Sequence, residues 1–204
     1  MSVLQAESPT AIVKRAYRWV EHSGDFDSLE DDTPEAIGGR LSYDARRRQV
    51  LEALDWNFAR RRFNPTLRTD VVAPLNMPVA YARPPECLRV RDLIDASGNH
   101  LTFSVEYNVF TDYQVPSQIV YTKDIQNAAH FAPAFTQALE FLLAAEFAMV
   151  HARSVNRSNT MLENYRRTMI DADRAEGLER SDDDAYAPGP FETAISTSYF
   201  GDRA

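Results

Sequence analysis

Cysteine is almost absent from this chain: Cys87 stands alone, so no intramolecular disulfide can staple the fold. Histidine is nearly as scarce. His22, His100, His130 and His151 are scattered without the short spacing of a metal-binding motif, and no metal site is expected from them. No apolar run approaches the ~20 residues that a bilayer span needs, and the first residues lack the basic-then-apolar order of a secretory signal. A chain that folds in a reducing cytoplasm, away from membranes, is the expectation. Glycine is thin as well, and no phosphate-cradling loop is present. Gly38-Gly39 falls inside a helical pattern without the lysine or further glycines of a nucleotide motif, so local helix flexibility is its expected role. A Gly-x-Ser-x-Gly elbow and repeats of solenoid length are also missing.

What is present is ordinary for a globular protein: 44% hydrophobic and 25% charged residues, which argues against wholesale disorder. A formal charge of −8 disfavours general nucleic-acid binding, which needs a basic face. The charge is unevenly spread. Glu21, Asp25, Asp27, Glu30, Asp31, Asp32 and Glu35 crowd one segment, while Arg40 to Arg68 carries eight arginines against three acids. Two solvated faces are the plain explanation; alignment of copies in an assembly is the other. The triplets Arg46-Arg47-Arg48 and Arg60-Arg61-Arg62 are the strongest electrostatic feature. They suit contacts between subunits or a DNA channel, where a ring of copies multiplies each charge, or salt bridges to neighbouring acids.

Local signals divide the chain. Ser8-Pro9 opens a helix over about 8–21, with Ile12, Ala16, Trp19 and Val20 on one face and Gly24 as its stop. Thr33-Pro34 opens a second over about 34–63, with Leu41, Val50, Leu51, Leu54, Phe58 and Trp56 on its apolar side, ended by Asn64-Pro65. From about 66 to 123, prolines punctuate strand-like runs. Cys87 to Ile94, Leu101 to Tyr107 and Gln118 to Thr122 are the best strands, with Ser97-Gly98-Asn99 as a hairpin turn between the first two. Leu101, Phe103, Val105 and Tyr107 should line a buried face of an antiparallel sheet. Helix returns over about 133–153, where Phe135, Leu139, Leu142, Leu143, Phe147 and Val150 mark the central core element. A last helix over about 156–178 has the narrow apolar stripe Met161, Leu162, Tyr165 and Met169. The fold class is α+β: a helical bundle with a small antiparallel β domain inserted between helices. Residues 1–178 form the main domain and 179–204 an extended tail, whose Tyr186, Phe191, Ile195, Tyr199 and Phe200 are more large apolar groups than a disordered segment carries, which suits docking on a partner or folding back on its own domain.

A search for chemistry finds no catalytic set. Asp171 with Asp173, and Asp182-Asp183-Asp184, offer oxygen ligands but read as surface charge. His151 suits the C-terminal cap of its helix, His130 a loop, and Cys87 a strand start without thiolate activation. Neither a cofactor nor enzymatic activity is expected.

The stretch from Arg46 to Arg62, with its Trp56-Asn57-Phe58-Ala59, resembles a helix of the phage tail tubular protein A family, the head-to-tail adaptors (connectors) of short-tailed phages. The order that follows is similar too: a proline-rich stretch ending at Tyr81 to Val90, strands reaching Val120 to Asp124, then Phe131 to Phe135 opening an alanine- and leucine-rich helix. The resemblance covers about 36–174. It implies a structural virion protein, assembled in the host cytoplasm, that forms a ring of about twelve copies beneath the portal. Its implied partners are the portal protein, the tail nozzle protein, further copies of itself and genomic DNA passing through the channel without sequence specificity. Helices would carry the ring contacts, the β domain would point to the tail and the C-terminal segment would dock on the portal. Trp56 and Phe58 would be core residues. Two other functions compete: a tail-associated cell-wall-degrading enzyme, which needs a positioned carboxylate or nucleophile, and a small nucleic-acid-binding regulator.

Overall fold

The computed structural model describes residues 7–22, 25–112 and 117–179. The tail residues Tyr186, Phe191, Ile195, Tyr199 and Phe200, the Asp182-Asp183-Asp184 run and Gly24 lie outside the described residues. The described residues are α+β, with four helices and two small antiparallel sheets. They divide into two compact units: a helical one, formed by the described residues before 55 and after 125, and a β unit formed by those of 55–125, which falls between its two parts in sequence.

In the helical unit, α1 spans Pro9–Trp19. Ser8 caps it, its hydroxyl accepting the Ala11 N–H at 3.1 Å, and Pro9 occupies the first turn, where no N–H is needed. Ile12, Val13, Ala16 and Tyr17 form its buried face; Trp19, expected on that face, is 46% exposed. The helix α2, Pro34–Ala53, begins the same way, with Thr33 accepting the Ala36 N–H at 3.2 Å.

Gly38 and Gly39 do not interrupt α2. A Cβ added at Gly39 would sit 2.6 Å from Val13 Cγ1 and 3.0 Å from Leu29 Cδ2, so this glycine serves a close approach of α1 to α2 and not flexibility. Gly39→Ala should therefore destabilise the protein by about 1–3 kcal/mol in a denaturant titration, the cost of overpacking. Equal or greater stability, as helix propensity alone would give, would contradict that packing.

The second helix ends ten residues before the expected Phe63. Leu54 is extended, and Arg60–Phe63 form a strand, β1. Two causes act together. Asp55, Trp56, Asn57 and Phe58 are four weak helix formers in a row, and Trp56 instead closes a turn, its carbonyl accepting the N–H groups of Ala59 and Arg60 at 3.0 and 2.9 Å. Beyond the turn, the ladder with a later strand satisfies the backbone of residues 60–63.

The third helix, α3, spans Pro133–Val150 and is buried nearly all round, as its composition requires. By length and composition it would suffice to cross a membrane, yet 67% of it is buried inside the protein, against α1, α2 and the last helix. Its final turn emerges: Val150, expected in the core, is 63% exposed. The last helix, α4, spans Val155–Glu179 and packs on α3. Met161, Met169 and Ala172 are buried and Leu162 and Tyr165 half-buried, which matches the expected stripe.

The β unit holds β1, β2 (Val79–Tyr81), β3 (Cys87–Asp95), β4 (Phe103–Val105), β5 (Val109–Thr111) and β6 (Ser117–Lys123), in two three-stranded antiparallel sheets ordered β1-β6-β3 and β2-β5-β4. Tyr81, Val90, Leu93, Val109, Ile119 and Tyr121 make its core. The expected turn after β3 is present: Gly98 takes φ 89°, a conformation that favours glycine, and Asp95 accepts the N–H groups of Ser97 and Asn99, each at 2.8 Å. The strands around it pair differently from expectation. Beyond the Ile94–His100 bridge the chain leaves β3, whose long partner is β6, and enters the second sheet. The expected strand from Leu101 to Tyr107 shortens to Phe103–Val105 because the chain turns back at 106–108 to pair Val105 with Val109. Val105 and Tyr107 are consequently exposed, at 39% and 86%, and only Leu101 and Phe103 of the anticipated face pack on the core.

Candidate functional site

Three ends of helical elements meet around Tyr17. Its ring lies buried and stacked on Phe147 of α3, with centroids 4.1 Å apart and planes 3° from parallel. After α1, Glu21 takes a left-handed conformation (φ 57°) and the His22 N–H donates to the Tyr17 carbonyl at 3.2 Å. Glu35 stands in the first turn of α2, where a carboxylate is favoured by the helix dipole. His151 caps the C-terminus of α3, its N–H donating to the Phe147 carbonyl at 2.8 Å.

These placements bring His22, Glu35 and His151 together, with one possible ligand atom from each lying within 4.8 Å of the others. His22 Nε2 is 3.0 Å from Glu35 Oε1. The Tyr17 hydroxyl donates to the Glu35 carbonyl at 3.1 Å and lies 3.1 Å from His151 Nε2. Gly38 keeps this space open, since a Cβ there would come within 3.2 Å of the Tyr17 oxygen and 3.6 Å of His151 Nε2. Burial pushes the Tyr17 hydroxyl pKa up, with the Glu35 and Glu146 charges adding to it. The His22 hydrogen bond holds the Glu35 carboxyl below its ordinary value. Burial also lowers His151, helped by the nearby His22 and opposed by Glu35. At neutral pH, then, Tyr17 keeps its proton, Glu35 is ionised and His151 is neutral. The result is a half-buried cluster of two imidazoles and a carboxylate.

The two arginine triplets belong to different units. On α2, Arg46 is half-buried and its Nε donates to Glu146 Oε2 at 2.8 Å, Arg47 is fully buried beside Asp44 at 3.3 Å, and Arg48 is exposed. On β1, Arg60 pairs with Asp55 at 2.8 Å while Arg61 and Arg62 are exposed. The neighbouring acidic segment is partly spoken for: Arg40 lies 3.8 Å from Glu30, and Arg157 bonds Glu21. Trp56 is fully buried and Phe58 half-buried, with ring centroids 6.0 Å apart, in the turn that replaces the expected helix. His130 ends a short 3-10 helix, Ala128–His130, and His100 is exposed and 2.5 Å from Asp92. Cys87 starts β3 as expected, and burial raises its thiol pKa. Asp171 faces solvent 4.0 Å from Arg174, and among the described residues His22, Glu35 and His151 are the group with metal-ligand geometry.

No family model matches this chain, and no curated protein matches it.

Proposed function

We propose that the protein is the head-to-tail adaptor of a short-tailed phage, a structural virion subunit of the tail tubular protein A type. It forms a ring beneath the portal, joins capsid to tail nozzle and lines the path of the DNA. The observation that carries this reading is the chain order: a helical unit interrupted between α2 and α3 by a complete β unit, with Trp56-Asn57-Phe58-Ala59 at the junction. The resemblance implies that succession of helix, β domain and helix, but it puts Trp56 to Ala59 within a helix, whereas they lie in the turn that follows α2. A closed ring needs two different complementary surfaces on each subunit. The exposed Asp25 and Asp32, and the exposed Arg48, Arg61 and Arg62, supply charge of opposite sign for them.

The tail test is direct. Deleting residues 185–204 should abolish co-sedimentation with the virion's own portal protein while circular dichroism and melting of the remaining chain stay unchanged. Undiminished portal binding by the shortened chain would remove the tail from the docking role.

A further inference from the structure

We propose that His22, Glu35 and His151 bind one divalent transition-metal cation of the zinc class, clasping the ends of α1, α2 and α3. This inference is independent of the adaptor reading. Two imidazole nitrogens and a carboxylate oxygen are a donor set that suits zinc and its neighbours better than calcium or magnesium, which favour oxygen alone. The set is not a product of adjacent residues: each donor comes from a different helical element, and all three converge within 4.8 Å. Tetrahedral zinc with bonds of about 2.0–2.1 Å holds its donors about 3.4 Å apart. His22 Nε2 and Glu35 Oε1, at 3.0 Å, are already near that separation, and small side-chain rotations close the rest.

The surroundings suit a bound cation. The side chains of His22 and Glu35 are 34% and 21% exposed, so an ion can enter from solution. Gly38 leaves clearance at His151 that a larger residue would fill. Glu35 is anchored through its own carbonyl by the Tyr17 hydroxyl, which stands close enough to His151 to orient the ring or to occupy a fourth position. With three protein ligands, the remaining position goes to water or to Tyr17. The cation would tie together segments far apart in sequence, and its effect is added stability of the helical unit.

The test is calorimetric titration of the full, tag-free chain with Zn²⁺ in a buffer that does not chelate it. Co²⁺ serves as a spectroscopic probe of tetrahedral nitrogen and oxygen ligation. One ion per chain is expected, with a melting temperature several degrees higher when the metal is bound. Glu35→Gln and His22→Gln should each weaken binding at least tenfold. Both replace half-buried side chains at helix ends with polar ones, and their metal-free melting temperatures report whether the fold survives. Absence of saturable binding by the wild-type chain would overturn the proposal, as would binding that Glu35→Gln and His22→Gln leave unchanged, since the ion would then sit on other carboxylates.

Discussion

Replacing Phe147 by alanine should lower the stability of the protein by about 3–5 kcal/mol, the range for truncating a fully enclosed phenylalanine. Phe147 is 2% exposed, sits on the most buried helix and stacks face to face on Tyr17, so its removal leaves a cavity between α1 and α3. For a chain of this size the loss corresponds to a fall in melting temperature on the order of 10 °C. Because Tyr17 holds Glu35 and stands beside His151, the same substitution should also loosen the histidine–carboxylate cluster. Phe147→Leu keeps most of the volume and should cost less than half as much. A loss below about 1 kcal/mol for the alanine variant would mean that α1 does not depend on this stack.

Arg47→Glu should be comparably damaging, at about 3–5 kcal/mol, which is the scale for leaving a buried charge uncompensated. The Arg47 side chain is 1% exposed and lies 3.3 Å from Asp44, so reversal buries a carboxylate next to another carboxylate. Its neighbour Arg48 faces solvent, and Arg48→Glu should change stability by no more than about 1 kcal/mol. Urea unfolding of the two variants checks the contrast. Equal effects would contradict the burial of Arg47. The contrast also sets how the adaptor reading is probed: reversing Arg46, Arg47 and Arg48 together would unfold the helical unit, so a charge test of ring formation belongs on Arg48, Arg61 and Arg62. A double reversal of Arg61 and Arg62 should leave the fold intact and weaken assembly on the portal, most strongly at low salt, where exposed charges are least screened.

Much of the helical unit was legible because its signals are local. Ser8-Pro9 and Thr33-Pro34 are caps whose hydroxyls accept the N–H three residues on, and the spacing of Phe135, Leu139, Leu142, Leu143 and Phe147 marks a buried helix without reference to its partners. The errors fall where tertiary pairing decides. Arg60–Phe63 continue a helical pattern on paper, yet they pair with Ile119 to Thr122, about sixty residues away. The three-residue strands β2 and β5 are too short to leave a period, and the switch of the chain between sheets after Leu101 has no composition signal.

The histidine–carboxylate cluster escaped for the same reason. His22 and Glu35 are 13 residues apart, and Tyr17 and His151 are 134 apart, so a search for short ligand spacings passes over them. One signal was available. Two of the four histidines follow the C-terminal ends of helices, and a glutamate opens α2, so packing of those helices side by side can bring their ends together. The function class was suggested by the order of motifs and not by this cluster, and the two stand on separate observations.

The most direct test of the adaptor reading is the native mass of the chain, measured alone and after mixing with its own virion's portal protein. A portal ring that gains about twelve copies, the number the resemblance implies for a closed ring of head-to-tail contacts, is the expected result. Failure to associate with the portal across low and high salt would contradict it.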